Sequence, residues 1–64
     1  MKCNVGDIIT INGQEAKVLA VDLPGPFGNN SIEYRMKDGS VIKDSPALSS
    51  YYGGRKYELV SRGN

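Results

Sequence analysis

The sequence predicts an all-β domain of five short strands, and three observations carry that prediction. Ile32, Tyr34 and Met36 alternate strictly with Glu33, Arg35 and Lys37, which is the period of a half-buried strand. Asn12-Gly13 and Asp38-Gly39 each follow such a run, at points where a tight turn needs residues that tolerate positive φ. No window carries a sustained helical period, so no long helix competes with the strands.

The elements follow in order. Ile8-Ile9-Thr10-Ile11 is rich in β-branched residues, whose stiff side chains suit a pleated surface, and Asn12-Gly13 then turns the chain. The return strand runs from about Glu15 to Asp22, with Ala16, Val18 and Ala20 on one face and Lys17, Leu19 and Val21 on the other. Both faces are partly apolar, which predicts cover on both sides, from a folded-over loop or a second subunit. Leu23 to Asn30 holds two prolines, two glycines and two asparagines and reads as a loop. Ile32 to Met36 is the third strand, and after Asp38-Gly39 the segment Ser40-Val41-Ile42-Lys43 returns beside it. Asp44 to Ser49 reads as a single 3₁₀-like turn, with Ser45 able to cap and Pro46 suited to a first helical position. Tyr57-Glu58-Leu59-Val60 alternates again as the closing strand, and Ser61 to Asn64 reads as a frayed tail.

Size and composition bound the function. A chain of 64 residues has room for one domain, residues 1–64, and a domain that small buries only about 60% of its unfolded surface. Thin cores call for disulfides, metals or partner subunits, and one cysteine with no histidine leaves self-association as the open remedy. The lone Cys3 allows no internal disulfide and suits a reducing compartment, so the expected location is cytoplasmic. No signal-peptide pattern or long apolar stretch indicates export or a membrane partner. Eight Lys and Arg against seven Asp and Glu give a formal charge of +1, low for a general polyanion binder. After Ser45 three cations, Arg55, Lys56 and Arg62, stand against Glu58 alone, so an anion site is expected there.

The opening Val5-Gly6-Asp7-Ile8-Ile9-Thr10-Ile11-Asn12-Gly13, followed by Ala16-Lys17-Val18-Leu19-Ala20-Val21-Asp22, resembles the SH3-like small β-barrel, KOW-type modules included. The resemblance covers nearly the whole chain: five strands, tight turns after the first and third, a long loop after the second and a short helical turn before the last. It carries over the fold and none of that family's binding residues. The chain has no tryptophan and too tight a first hairpin for proline-motif recognition, and it lacks the basic charge of nucleic-acid-binding KOW modules.

Catalysis is not expected. There is no histidine base, and Cys3 lies in a terminal segment with no evident activator. Asp7, Asp22, Asp38 and Asp44 lack the close spacing of a calcium loop, so neither a metal nor a cofactor is expected. The segment that points to chemistry is Tyr51-Tyr52-Gly53-Gly54-Arg55-Lys56, where stacking rings, bare backbone and two cations fall within six residues. Tyrosine rings offer a face to a base, successive glycines can form an anion nest, and Arg55 can grip a phosphate. Against this stands the plain reading, in which a tyrosine fills the end of the fold and the glycines permit a bend. Phe27, the only phenylalanine, lies in the proline-stiffened loop and reads either as a binding anchor or as a plug. Arg35, Lys37 and Lys43 on the second hairpin read as a phosphate track across paired strands, diluted by Glu33, Asp38 and Asp44.

These residues predict a non-enzymatic, homo-oligomeric protein that captures a small anionic, nucleotide-like ligand, as a sensor or a sponge. The alternative is an interaction module that presents Phe27, Tyr51 and Tyr52 to a protein or nucleic-acid partner.

Overall fold

The computed structural model describes residues 2–63 and shows one five-stranded antiparallel sheet, ordered β4-β3-β2-β1-β5. The strands are β1 (Ile8–Ile11), β2 (Gln14–Pro24), β3 (Asn30–Met36), β4 (Val41–Asp44) and β5 (Tyr57–Ser61). The all-β class and the five strands stand as the sequence predicts. β4 and β5 remain the two edges, so the sheet does not close into a barrel. These edge strands are four and five residues long, and the chain crosses between them through a helix instead of pairing them.

The first turn has the geometry that Asn-Gly supplies, with φ of 51° at Asn12 and 82° at Gly13. The second is looser. The Gly39 N–H donates to the Met36 carbonyl at 3.0 Å and Met36 N–H to the Ser40 carbonyl at 2.8 Å, which leaves Gly39 in the left-handed region at φ 92°.

β2 outruns its expected end. Leu23 and Pro24 pair with Ser31 and Asn30, so the loop is shorter than the stretch from Leu23 to Asn30 and contains a 3₁₀ turn, Pro26–Gly28. Proline is tolerated at the final position of the strand, where little ladder pairing remains to be lost. Two register shifts, after Val18 and after Ala20, and a φ of 56° at Asp22 bend this strand.

The helical turn expected before the last strand is a seven-residue helix, α1 (Pro46–Tyr52), with proline at its start as the sequence indicates. Ser45 precedes it but does not cap it with its side chain, and the buried Ser45 Oγ has no partner among the described residues.

One core lies under the sheet, made of Cys3, Ile9, Ile11, Ala16, Val18, Ile32 and Tyr34, with Val21, Met36, Ile42 and Tyr57 packed against it. Alternation explains the set, because residues two apart on a strand share a face. Cys3 belongs to this core, and burial, reinforced by Asp7, pushes its thiol above the ordinary value.

The C-terminal segment departs from the frayed tail the sequence suggested. Ser61 belongs to β5, and the buried Asp7 carboxylate accepts the Gly63 N–H at 2.8 Å and Arg62 Nη1 at 3.3 Å. The same carboxylate accepts the Asn4 N–H at 2.9 Å. A buried carboxylate needs such donors, and the chain ends provide them. Asn64 lies outside the described residues.

Candidate ligand groove

Asp44, the last residue of β4, organises the ground between the sheet edge and α1. Its carboxylate accepts the Ser45 N–H at 2.9 Å, the Ser49 hydroxyl at 2.6 Å, Arg55 Nη1 at 2.9 Å and the Tyr57 hydroxyl. The Tyr57 oxygen is in turn 3.2 Å from that of Tyr34, whose ring it meets edge-on, so the network continues into the core. Burial alone would push the Asp44 carboxyl up, but hydrogen bonds from Ser49, Tyr57, Ser45 and Arg55 outweigh it and hold the group below the ordinary aspartate value. Tyr57 moves the other way: burial, Asp44 and Tyr34 together raise its phenol well above the usual range.

Above this network runs an open groove. Phe27 comes to it from the β2–β3 loop, Leu48 and Tyr52 from α1, and Arg55 from the link to β5, with Asp44 and Ser49 supplying polar lining. The two segments that the sequence singles out separately therefore meet at one place. Of the expected binding residues, Phe27, Tyr52, Gly53 and Arg55 line this groove, whereas Tyr51, Gly54 and Lys56 do not. The Tyr51 ring rests edge-on against Tyr52, with centroids 4.7 Å apart. The Lys56 backbone exchanges hydrogen bonds with Asn12 in the first turn, and its ammonium lies 4.0 Å from Glu58.

Two details change the chemistry expected of this segment. The Ser49 carbonyl accepts both the Gly53 N–H at 2.9 Å and the Arg55 N–H at 3.1 Å, so these amides close the helix instead of forming an anion nest. Gly54, at φ 67°, permits that closure. Arg55 is paired with Asp44, and an anion arriving at its guanidinium meets a carboxylate already there.

A second depression adjoins the first, sharing Asp44 and Leu48 with it, and is bordered by Pro24, Pro26, Ser31, Lys43 and Ser45. Sequence reasoning missed Asp44 as an organiser, because its partners Ser49, Arg55 and Tyr57 lie five, eleven and thirteen residues away with no recognisable period. The Asp-Ser-Pro start of α1 is the local signal that marks the place.

The other candidates scatter. Lys37 pairs with Glu15 at 3.8 Å, Arg35 lies opposite Lys17 and Val41, and Lys43 lies opposite Glu33. Asp22 accepts Asn30 Nδ2 at 3.3 Å and Asp38 accepts the Ser40 N–H at 2.8 Å, so the aspartates serve separate local bonds. Among the described residues no three His, Cys, Asp or Glu side chains gather to hold a metal, and no helix is long and apolar enough to cross a membrane. Comparison with protein-family models, with curated proteins and with solved structures finds no match, so what this groove can do follows from its own chemistry.

Proposed function

We propose that this chain is a non-enzymatic binding domain that captures a small ring-bearing anion of nucleotide type in the groove between Phe27 and Tyr52. The observation that carries the reading is Phe27 itself. Its side chain is 94% exposed, and its backbone stands at φ 56° and ψ 30°, a region that bulky residues avoid. Exposure forgoes burial of the ring and the backbone adds strain, so neither packing nor local preference accounts for the residue. A ring held beside Tyr52, itself 80% exposed, is what a stacking ligand requires.

Capture without turnover fits Asp44. A carboxylate held below its ordinary value by four donors is a weak base. The strand order, with a helical segment before the last strand, supports the SH3-like reading of the fold. The thin core and the exposed Leu59 and Val60 on edge strand β5 support self-association.

A second reading draws on Tyr51, which is as exposed as Tyr52 and lies outside the groove lining. It extends the aromatic surface beyond the footprint of a small ligand and favours an interaction module for a protein or nucleic-acid partner. Salt separates the two, because binding along a polyanion weakens steeply with ionic strength whereas capture of a mononucleotide does so gently.

The test is native mass spectrometry of the purified protein, followed by denaturation, identification of any released compound and titration with mononucleotides. Capture predicts a bound ring compound that Phe27→Ala and Tyr52→Ala both lose while keeping the wild-type fold. A protein that carries nothing and binds no mononucleotide refutes it.

A further inference from the structure

We infer that the anionic group of the captured ligand is received by Lys43 and Ser45, in the depression beneath the β2–β3 loop, and not by Arg55. The inference rests on the groove reading and adds the place and chemistry of a second subsite.

Charge decides first against Arg55. Its guanidinium is 2.9 Å from Asp44, and a phosphate placed there would lie beside that carboxylate. Lys43 forms no ion pair among the described residues, and its cross-strand neighbour Glu33 is not in salt-bridge contact with it. Lys43 and Ser45 both line this depression; Asp44 borders it too, but its carboxylate is already taken up by the Ser45 N–H, Ser49, Arg55 and Tyr57. The cation available to an anion is therefore this lysine.

Ser45 gives the second, independent observation. Only 4% of the residue is exposed, and its hydroxyl has no hydrogen-bond partner among the described residues. Buried hydroxyls are normally paired, and an unpaired one carries a desolvation penalty. Ser45 borders the depression, so its hydroxyl forfeits no bond when it turns towards a guest. A phosphate oxygen meets what both groups lack: a counter-charge for Lys43 and an acceptor for Ser45. Because the two depressions share Leu48 and Asp44, one guest can lay its ring between Phe27 and Tyr52 and its phosphate beside Lys43.

Calorimetric titration tests this with AMP, GMP, CMP and UMP alongside the four matching nucleosides. At least one nucleotide should bind roughly tenfold or more tightly than its nucleoside, the worth of a charged hydrogen bond. Lys43→Met should remove that increment and leave nucleoside binding unchanged. Ser45→Ala should weaken the nucleotide roughly tenfold while the unliganded protein melts at the same temperature or higher, a pairing that a purely structural serine would not give. Arg55→Gln should keep the increment. Nucleosides that bind as tightly as nucleotides, or an increment lost in Arg55→Gln and kept in Lys43→Met, would overturn the subsite while leaving the groove. Binding by none of the eight probes overturns the groove reading and the subsite with it.

Discussion

Gly63 lies against the backbone of Gly6 so closely that a side chain on Gly63 would overlap the Gly6 carbonyl. Gly63→Ala must therefore push β5 and the N-terminal segment apart, and overpacking of this kind costs roughly 1 to 3 kcal/mol. A urea melt should show a lowered midpoint. An unchanged midpoint would mean that the C-terminal segment is not docked in solution.

The Asp7 clasp makes stability fall in acid. The Asn4 and Gly63 N–H groups hold the Asp7 carboxyl below its ordinary value of 3.8 despite burial, and Asp44 is held below the same value. A carboxyl depressed in the folded state contributes stability that is fully present above the unfolded value and is lost as the pH falls through the folded one. The melting temperature should be level around neutrality and drop from near pH 3.8 downward. Asp7→Asn should lower it at neutral pH and flatten that acid limb, whereas an acid limb identical to wild type would remove Asp7 from the account.

In alkali the sign reverses. Tyr57 has its phenol raised above the ordinary value of 10.0, so its contribution is present below that value and is lost as the pH climbs past it. Tyr57→Phe leaves Asp44 with one donor fewer and Tyr34 without its hydroxyl neighbour. It should destabilise by about 1 to 3 kcal/mol at neutral pH, within the range for a hydrogen bond to a charged group. Denaturant unfolding checks this, and a variant as stable as wild type would show that the network is not formed.

Gly39→Val places a β-branched residue at φ 92° in the β3–β4 turn. The left-handed region costs an ordinary residue roughly 1 to 2 kcal/mol and a β-branched one no less. Thermal melting should register the loss, and no change would refute the positive φ.

Phe27→Gly separates strain from function. Glycine accepts φ 56° without penalty, so the melting temperature should hold or rise, while ligand binding should vanish with the ring. A clear fall in melting temperature would mean that the Phe27 ring packs into the fold and is not a binding residue.

Much of the sheet was legible because its signals are local. Strict alternation in β3, Asn12-Gly13 and the β-branched run of β1 each act over a few residues, and each is found where the pattern put it. The reach of β2 through Pro24 was not legible, since bulges within that strand let a proline-bearing segment keep its partner. Asp44 and the Asp7 clasp were hidden for another reason: their partners are brought close by the fold and leave no spacing in the chain. The groove was half visible. Phe27 and the Tyr52 to Arg55 stretch stood out by composition, but only the folded chain shows that Asp44 answers the charge of Arg55 and that Lys43 has no ion-pair partner among the described residues.

The Asp7 clasp also sets how the molecule responds to force. β1 and β5 are antiparallel neighbours, and the segments leading into one and out of the other are fastened to a single carboxylate. Tension applied between the two ends loads those few hydrogen bonds before it reaches the ladder, and once they part β5 can peel from β1 one bond at a time. Under a pull the clasp is the lock on a zip, and its strength sets the force at which the sheet begins to open.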